Sequence, residues 1–455
     1  AKAMANVAYA TYYAGEGDVS QVLDSAKILA ELADQMPDQA IAEQAIADAV
    51  ALLREMYDQL GAQRNARVAA TYERATHLLL DKFGTTPAAD NERLYFGFLV
   101  LQASHRYGRA VQVYSQIPVT HSTYWQAQRE RLFCLQQIYR NADQDHKPAA
   151  EQTAREASRR LLDQIQHHNT GNGPSGDLKR CQGTARLLLA DLAIDGQNYG
   201  VAAEWLSHFE DTFADVPELV REAYDKRIVI YLATDQLEDA VRVATVMMNE
   251  FPDDASRVIS DLLDQVDQQI DQLRKQADEQ LIAARKDSLV NEAAAAAQAA
   301  RTLADLLLRW ASAQEFDEEK MLPYELILVK ALRLTGEVEQ AAQRAGSLLE
   351  TFPNNAHVIH ESAESTFALS TPHAMKDSVL LYRQLYDARE GLRPDEHGHY
   401  PPMWWNAWRR QFQITEALNG KTEDIPLLVN QLEMTDPDLG GEPYASEFRR
   451  LRNKY

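Results

Sequence analysis

Histidine and glutamate stand together at one point of the chain in a spacing that approaches a metal-binding pattern. The segment His360-Glu361-Ser362-Ala363-Glu364 departs from HExxH because its last position is a glutamate. The HExxH pattern holds zinc through two histidines on one helix face, so a required ligand is missing here. His357 and His360 are three residues apart, with no third ligand at a matching spacing. The sequence therefore predicts no metal site.

A glycine-rich stretch, Gly171–Gly176, matches the letters of the GxGxxG dinucleotide loop. That loop binds a pyrophosphate only where it follows a β-strand and opens a helix. Here the segment before it, Ala149–His167, has the periodicity of a helix. We interpret His167–Asp177 as a surface loop and as the best candidate for a hinge. The sequence predicts no nucleotide and no other cofactor.

The other groups that could take part in chemistry are scattered. Cys134 and Cys181 each lie alone on a predicted helix, without the CxxC or Cys/His spacing of a zinc site. Four carboxylates follow one predicted helix at helical spacing: Asp264, Asp267, Asp271 and Glu279. Such a row is typical of a solvated face, whereas acid–base catalysis needs a cleft and a shifted pKa. We predict a protein that is not an enzyme and has no catalytic residues.

Aromatic residues form a dense cluster near the end of the chain. After Pro401-Pro402, Trp404, Trp408 and Phe412 recur at four-residue steps, which places them on one helix face. Core packing between helical hairpins is one interpretation. The other is that exposed tryptophan edges bind a partner. The candidate partner-binding residues are Trp404, Trp405, Trp408 and Tyr400.

Two segments elsewhere in the chain resemble each other and indicate the architecture. Thr234–Ala255 and Thr335–Ala356 align without gaps, with seven identical positions at an offset of 101 residues. In both, apolar residues recur three and four apart, and a proline (Pro252 or Pro353) ends the run. Each segment therefore predicts the second helix of a helical hairpin.

The first of these segments, with the helix before it, resembles the tetratricopeptide repeat. Positions 4, 8, 11, 20 and 32 of that pattern are filled by Tyr224, Ile228, Tyr231, Ala240 and Pro252. The second copy lacks the aromatic residue at position 4, where Glu325 stands. The offset is close to three repeats of ~34 residues. The resemblance implies a right-handed α-solenoid, and proteins of this family are typically non-catalytic scaffolds that hold a partner on a concave surface.

The segment between the two copies departs from the repeat. It contains no proline or glycine between Pro252 and Pro323. A coiled-coil seam with steps of four and three runs through Ile259, Leu263, Val266, Ile270, Leu273 and Ala277. One rod of about 60 residues and an oversized hairpin turning near Lys286-Asp287-Ser288 are both compatible with this pattern. We favour the hairpin, because a solenoid needs paired helices to close its core.

These patterns predict an all-α fold: a right-handed α-solenoid of helical hairpins with one long, coiled-coil-like insert. We divide it into N-terminal hairpins (1–167), repeats that resemble the family (178–252), the insert (253–316) and C-terminal repeats with a capping helix (317–455). A final amphipathic helix commonly covers the open end of such an array.

Charge and composition limit the partners. The net charge is −22, and only short basic clusters occur, so no nucleic-acid partner is predicted. No run of 18 apolar residues occurs, so no transmembrane segment is predicted.

The chain begins without methionine, and we expect it to be processed, trimmed or part of a longer polypeptide. We expect a soluble protein of the cytoplasm, or of the periplasm and cell envelope.

The sequence thus predicts a protein-interaction scaffold or a structural subunit of a larger assembly, binding protein partners or further copies of itself through the solenoid surface. Two alternatives stay open. One is a segment of a longer cell-envelope structural protein. The other is an α/α-type glycan-acting enzyme, in which Trp404, Trp405 and acidic residues would line a cleft with paired carboxylates.

Overall fold

Helices account for the regular structure throughout the residues described, and no strand occurs among them. The structure is a computed structural model that describes residues 10, 19–36, 38–59, 66–168, 176–280, 283–387, 392, 394–395, 399–418 and 420–455. The chain forms two compact units, Ala1–Lys226 and Arg227–Tyr455. No helix within those ranges has the length and apolarity needed to cross a membrane. The predicted hinge at 167–177 lies mostly outside the described residues, and the four-part division stays a prediction.

The first unit is a succession of helices, and from α1 to α9 each helix packs on the next. They are α1 (Val19–Gln35), α2 (Gln39–Gln59), α3 (Ala66–Phe83), α4 (Pro87–Phe96, extended by a π-helical turn Gly97–Gln102), α5 (Tyr107–Ser115), α6 (Tyr124–Asn141), α7 (Lys147–His168), α8 (Gly176–Asp195), α9 (Tyr199–Trp205), α10 (Phe209–Phe213) and the first part of α11 (Pro217–Ala233). One apolar core continues from Val22 in α1 to Leu192 in α8. Helix α6 packs on both α7 and α8, so neighbouring hairpins share this core.

The second unit repeats the arrangement. Its helices are α12 (Leu237–Glu250), α13 (Pro252–Glu279), α14 (Ala283–Ala313), α15 (Glu318–Leu334), α16 (Val338–Thr351), α17 (Ala356–Ala368), α18 (Pro372–Asp387), α19 (Pro402–Ala417), α20 (Ile425–Thr435) and α21 (Tyr444–Lys454). Successive helices pack on each other from α12 up to the pair α18 and α19, and α15 also contacts α17. The all-α solenoid fold predicted from the sequence is confirmed.

The long insert consists of two helices packed along each other, α13 and α14. Gln314, just beyond α14, donates a hydrogen bond of 3.5 Å to Asp253 at the start of α13, so the far ends of the two helices meet. The segment is therefore a hairpin and not a rod. The expected turn at Lys286-Asp287-Ser288 lies inside α14, and the helix break comes earlier, between Glu279 and Ala283. No proline or glycine marks that break in the sequence.

The two matched segments have the same local geometry. They form α12 and α16, whose aligned alanines are all fully buried: Ala240, Ala244, Ala341 and Ala345. The turns that precede these helices also match. Asp235 has a φ of 56° and Gly336, at the aligned position, a φ of 90°. The next residue in each turn, Gln236 or Glu337, donates its N–H to a carbonyl five residues back, the closure typical of a helix that ends in the left-handed region.

The segment 199–213 forms two short helices with a break between them. Helix α9 ends at Trp205, and His208 has a φ of 51° before α10 begins. The guanidinium of Arg186 donates hydrogen bonds to the carbonyls of Trp205 (2.8 Å) and Ser207 (2.6 Å). A cation that satisfies carbonyls at a helix end stabilises the break. This partner is distant in sequence, so periodicity alone could not predict the interruption.

The aligned turn residues provide a direct test of the repeat geometry. We expect Gly336→Ala to lower the free energy of unfolding by about 1–2 kcal/mol, because a side chain disfavours positive φ. Asp235→Gly should raise it by roughly 0.5 kcal/mol for the same reason. Urea unfolding monitored by circular dichroism measures both changes.

Gly346 serves as the control, since it lies within α16 with no atom near enough to clash with an added Cβ. Gly346→Ala should stabilise the protein by about 0.5–1 kcal/mol, because alanine favours helix interiors. Equal effects of both glycine substitutions would contradict the assigned turn.

Candidate functional site

A cleft of about 700 Å³ lies within the second unit, between α13, α15, α17 and α19. Residues of the turn Gly440–Tyr444 complete its wall. Helix α13 contributes Asp267, Asp271, Arg274 and Asp278, which are four, three and four residues apart and so share one helix face. The apolar seam of the same helix packs against α14. The hairpin insert thus presents a charged face to the cleft.

The buried carboxylate of Glu364 is the point where these helices meet. Its side chain is 3% exposed. Arg410 of α19 donates two hydrogen bonds to it, of 3.0 and 2.9 Å. Asn406 and the hydroxyl of Tyr382 donate one each, at 2.8 and 2.7 Å. A nitrogen of Arg333 in α15 lies 3.6 Å away. One carboxylate therefore links α15, α17, α18 and α19.

A second buried pair lies beside it. Arg333 donates a hydrogen bond of 2.8 Å to Glu361, one helical turn before Glu364. Burial alone would raise the pKa of Glu361, but the charge of Arg333 and the contact with His360 outweigh burial and hold the pKa at about 2. The same balance, with Arg410 and Arg333 as the cations, holds the pKa of Glu364 well below its ordinary value. Both carboxylates are ionised at neutral pH.

A buried glutamate in the first unit has a pKa shifted in the opposite direction. Glu92 pairs with one guanidinium, Arg54 at 2.9 Å, and accepts the hydroxyl of Tyr72. Burial dominates there and raises the pKa of Glu92 to about 7. Glu361 and Glu364 each have a further cationic or histidine neighbour besides one arginine, and for them the favourable interactions outweigh burial.

The other acidic groups of the cleft also have cationic partners. Lys330 lies 2.7 Å from both Asp267 and Asp271. Arg409 donates a hydrogen bond of 2.8 Å to Asp278. Ion pairs therefore join α13 to α15, α15 to α17, α17 to α19, and α19 back to α13. This ring of charges fixes the walls of the cleft.

Several residues that the sequence analysis considered as metal ligands or as a solvated face form ion pairs in the cleft instead. His360, Glu361 and Glu364, the near match to a metal motif, line the cleft and take part in its ion pairs. Within the described part of the chain, no group of three His, Cys, Asp or Glu side chains is placed to hold a metal ion. Asp267 and Asp271, interpreted as a solvated face, bind Lys330. The sequence does not reveal these partners because they are 28 to 63 residues apart.

The aromatic candidates lie next to the cleft and outside its lining. Trp405 is 1% exposed and packs with Phe412 and Phe448 in a core of the second unit. Trp404 and Trp408 are half-buried against the same core, and Tyr400 stacks on Trp404 at 4.3 Å. Their burial favours the packing interpretation. Partner contact through the partly exposed edges of Tyr400, Trp404 and Trp408 stays a prediction.

The two cysteines lie in the first unit, far along the chain from the cleft. Both are buried, and neither forms a disulfide. Burial raises the pKa of the Cys134 and Cys181 thiols to about 12. At neutral pH they are protonated, and a protonated thiol is a poor nucleophile.

Substitution of the central carboxylate tests whether the ion pairs hold the site together. Glu364→Gln leaves Arg410 and Arg333 buried beside a neutral amide. We therefore expect the free energy of unfolding to fall by about 3–5 kcal/mol. Glu156→Gln is the control, because Glu156 forms an exposed helix pair with Arg160 and should change stability by less than about 0.5 kcal/mol. Similar losses for both variants in urea unfolding would contradict the assignment.

The lowered pKa of Glu361 predicts an acid-sensitive stability. Its ionised form is favoured by folding, so its contribution is fully present above the ordinary glutamate pKa of 4.5 and disappears as the pH falls towards about 2. Thermal unfolding from pH 6 to pH 2 should show the midpoint falling in that window. Glu361→Gln should flatten the pH dependence there, and an unchanged slope would show that Glu361 does not cause it.

No family model and no curated protein matches this sequence. Among solved structures, a monomeric mutant of IFIT1 with Gppp-AAAA is similar at a TM-score of 0.30 and 12% identity, covering 99% of this chain and 89% of that one. The P58(IPK) TPR domain is similar at a TM-score of 0.20 and 13% identity, covering 80% and 98%. Both scores are too low to carry an argument, so the fold is assigned from the packing of the chain's own helices.

Proposed function

We propose that this protein is a non-catalytic scaffold or assembly subunit that binds a segment of a partner protein in the cleft of its second unit. One observation supports this most: a cleft whose walls are fixed by ion pairs across four helices. A rigid, preformed cleft loses little conformational freedom when a ligand enters it. Leu326, Ile327 and Met403 add apolar surface beside the charges, a combination typical of binding sites.

A binding role fits the charges of the cleft better than the glycan-acting alternative does. Glycoside hydrolysis needs one protonated carboxyl group beside an ionised one. Glu361 and Glu364 have lowered pKa values and hold arginines. Burial raises the pKa of Asp267, but its carboxylate is held by Lys330 at 2.7 Å. None of the residues that line the described cleft is a tryptophan, so Trp404 and Trp405 offer no sugar-stacking surface there.

A charge placed at the cleft wall should strongly reduce partner binding. Ile327 is half-buried and belongs to none of the ion pairs. We expect Ile327→Arg to lower partner recovery at least about tenfold, since a long cation would occupy the apolar part of the cleft. Affinity capture from the source cells with quantitative mass spectrometry measures this.

The control is Val290→Arg, on the exposed outer face of α14. It introduces the same group on the same unit outside the cleft lining and should leave recovery unchanged. The proposal is contradicted if Ile327→Arg captures the same proteins in the same amounts as the unmodified chain, or if the protein stays monomeric with no partner.

A further inference from the structure

One cation of the cleft forms no direct ion pair. Arg274 on α13 lines the cleft, and it forms no hydrogen bond or ion pair with any residue the structure describes. The other arginines of the lining, Arg333 and Arg409, each contact a carboxylate within 2.8 Å. Arg274 is half-buried, so its guanidinium is removed from much of the solvent without gaining a partner.

The carboxylates near Arg274 are already paired with other cations. Glu364 and Asp278 act electrostatically on Arg274, as do the like charges of Arg333 and Arg410. Glu364 pairs directly with Arg410 at 2.9 Å and Asp278 with Arg409 at 2.8 Å, and neither carboxylate forms a direct ion pair with Arg274. Burial, and after it the neighbouring Arg333, lower the pKa of Arg274, so its charged form is destabilised where it stands. A half-buried charge without a direct partner is destabilising.

We propose that Arg274 binds a carboxylate carried on an apolar body, contributed by the partner segment that occupies the cleft. This inference rests on the proposed function and names the chemistry of its ligand. A carboxylate matches the two parallel donors of a guanidinium. The apolar side chains of Leu326, Ile327 and Met403 lie in the same cleft for the body of the ligand.

A phosphate fits the same place less well. At neutral pH it carries nearly two negative charges. Asp271 and Asp278 also line the cleft and repel a doubly charged group more strongly than a singly charged one. The chemistry therefore favours a singly charged acid over a phosphorylated group.

The first test separates a binding residue from a structural one by thermal unfolding of the whole chain. Arg274→Met removes an unpaired cation, so the midpoint should stay the same or rise. Arg333→Met, at a paired position of the same cleft, should lower the midpoint by several degrees. If Arg274→Met lowers the midpoint as much as Arg333→Met does, Arg274 has a structural role and the proposal is overturned.

The second test uses defined probes and isothermal calorimetry. The probes are N-acetyl-leucine, N-acetyl-leucinamide, inorganic phosphate, and a leucine-ended hexapeptide with a free or an amidated carboxyl end. We expect the free-acid hexapeptide to bind at least about tenfold more tightly than its amide. That ratio corresponds to the binding free energy of one charge-assisted hydrogen bond. Arg274→Met should abolish that preference. Arg257→Met, at an exposed position of the same helix outside the cleft lining, should keep it within about twofold.

The outcomes separate the ligand chemistry from the proposed function. Equal binding of acid and amide, a preference that survives Arg274→Met, tighter binding of phosphate, or no binding of any probe at millimolar concentration would each overturn the carboxylate site. If N-acetyl-leucine binds as tightly as the hexapeptide and no partner is captured, the carboxylate chemistry is supported and its source is a free acid. The partner-binding function then fails on its own.

Discussion

Burial of the Glu364 carboxylate is the constraint on which the second unit depends. A buried anion is tolerated only where cations and hydrogen-bond donors surround it. Here those donors come from α18 and α19, with a further cation from α15. Because each donor must reach one point, the helices cannot slide along one another without breaking an ion pair. The apolar cores supply most of the free energy of folding, and the ion pairs fix the register.

The same constraint explains why a solenoid can carry a specific site. Stacked hairpins contact only their neighbours, so their helices would otherwise define a surface of variable spacing. Pairs such as Lys330 with Asp267, and Arg409 with Asp278, join helices that are distant in sequence around one cleft. The long hairpin α13–α14 makes this possible, because its first helix is long enough to present charges from Asp267 to Asp278 to the cleft.

Local patterns predicted the architecture well. Apolar residues three and four apart indicated the helices α12 and α16, and the aligned alanines of both are buried. Interactions between residues far apart in the sequence could not be predicted from it. Pro323 lies inside α15, which starts at Glu318, where Asp317 caps it by accepting the N–H of Lys320. The acids of α13 resembled a solvated face because their partners lie on other helices. Arg274 gave no signal in the sequence, since the absence of a partner is visible only in three dimensions.

Site-specific photo-cross-linking tests the central claim, that the cleft of the second unit is the binding surface, most directly. A benzoyl-phenylalanine at position 327, in the cleft wall, is compared with the same residue at position 290 on the outer face of α14. We expect one discrete adduct with a partner protein from position 327 in the source cells, and none from position 290. An adduct from position 290 with none from position 327 would contradict it.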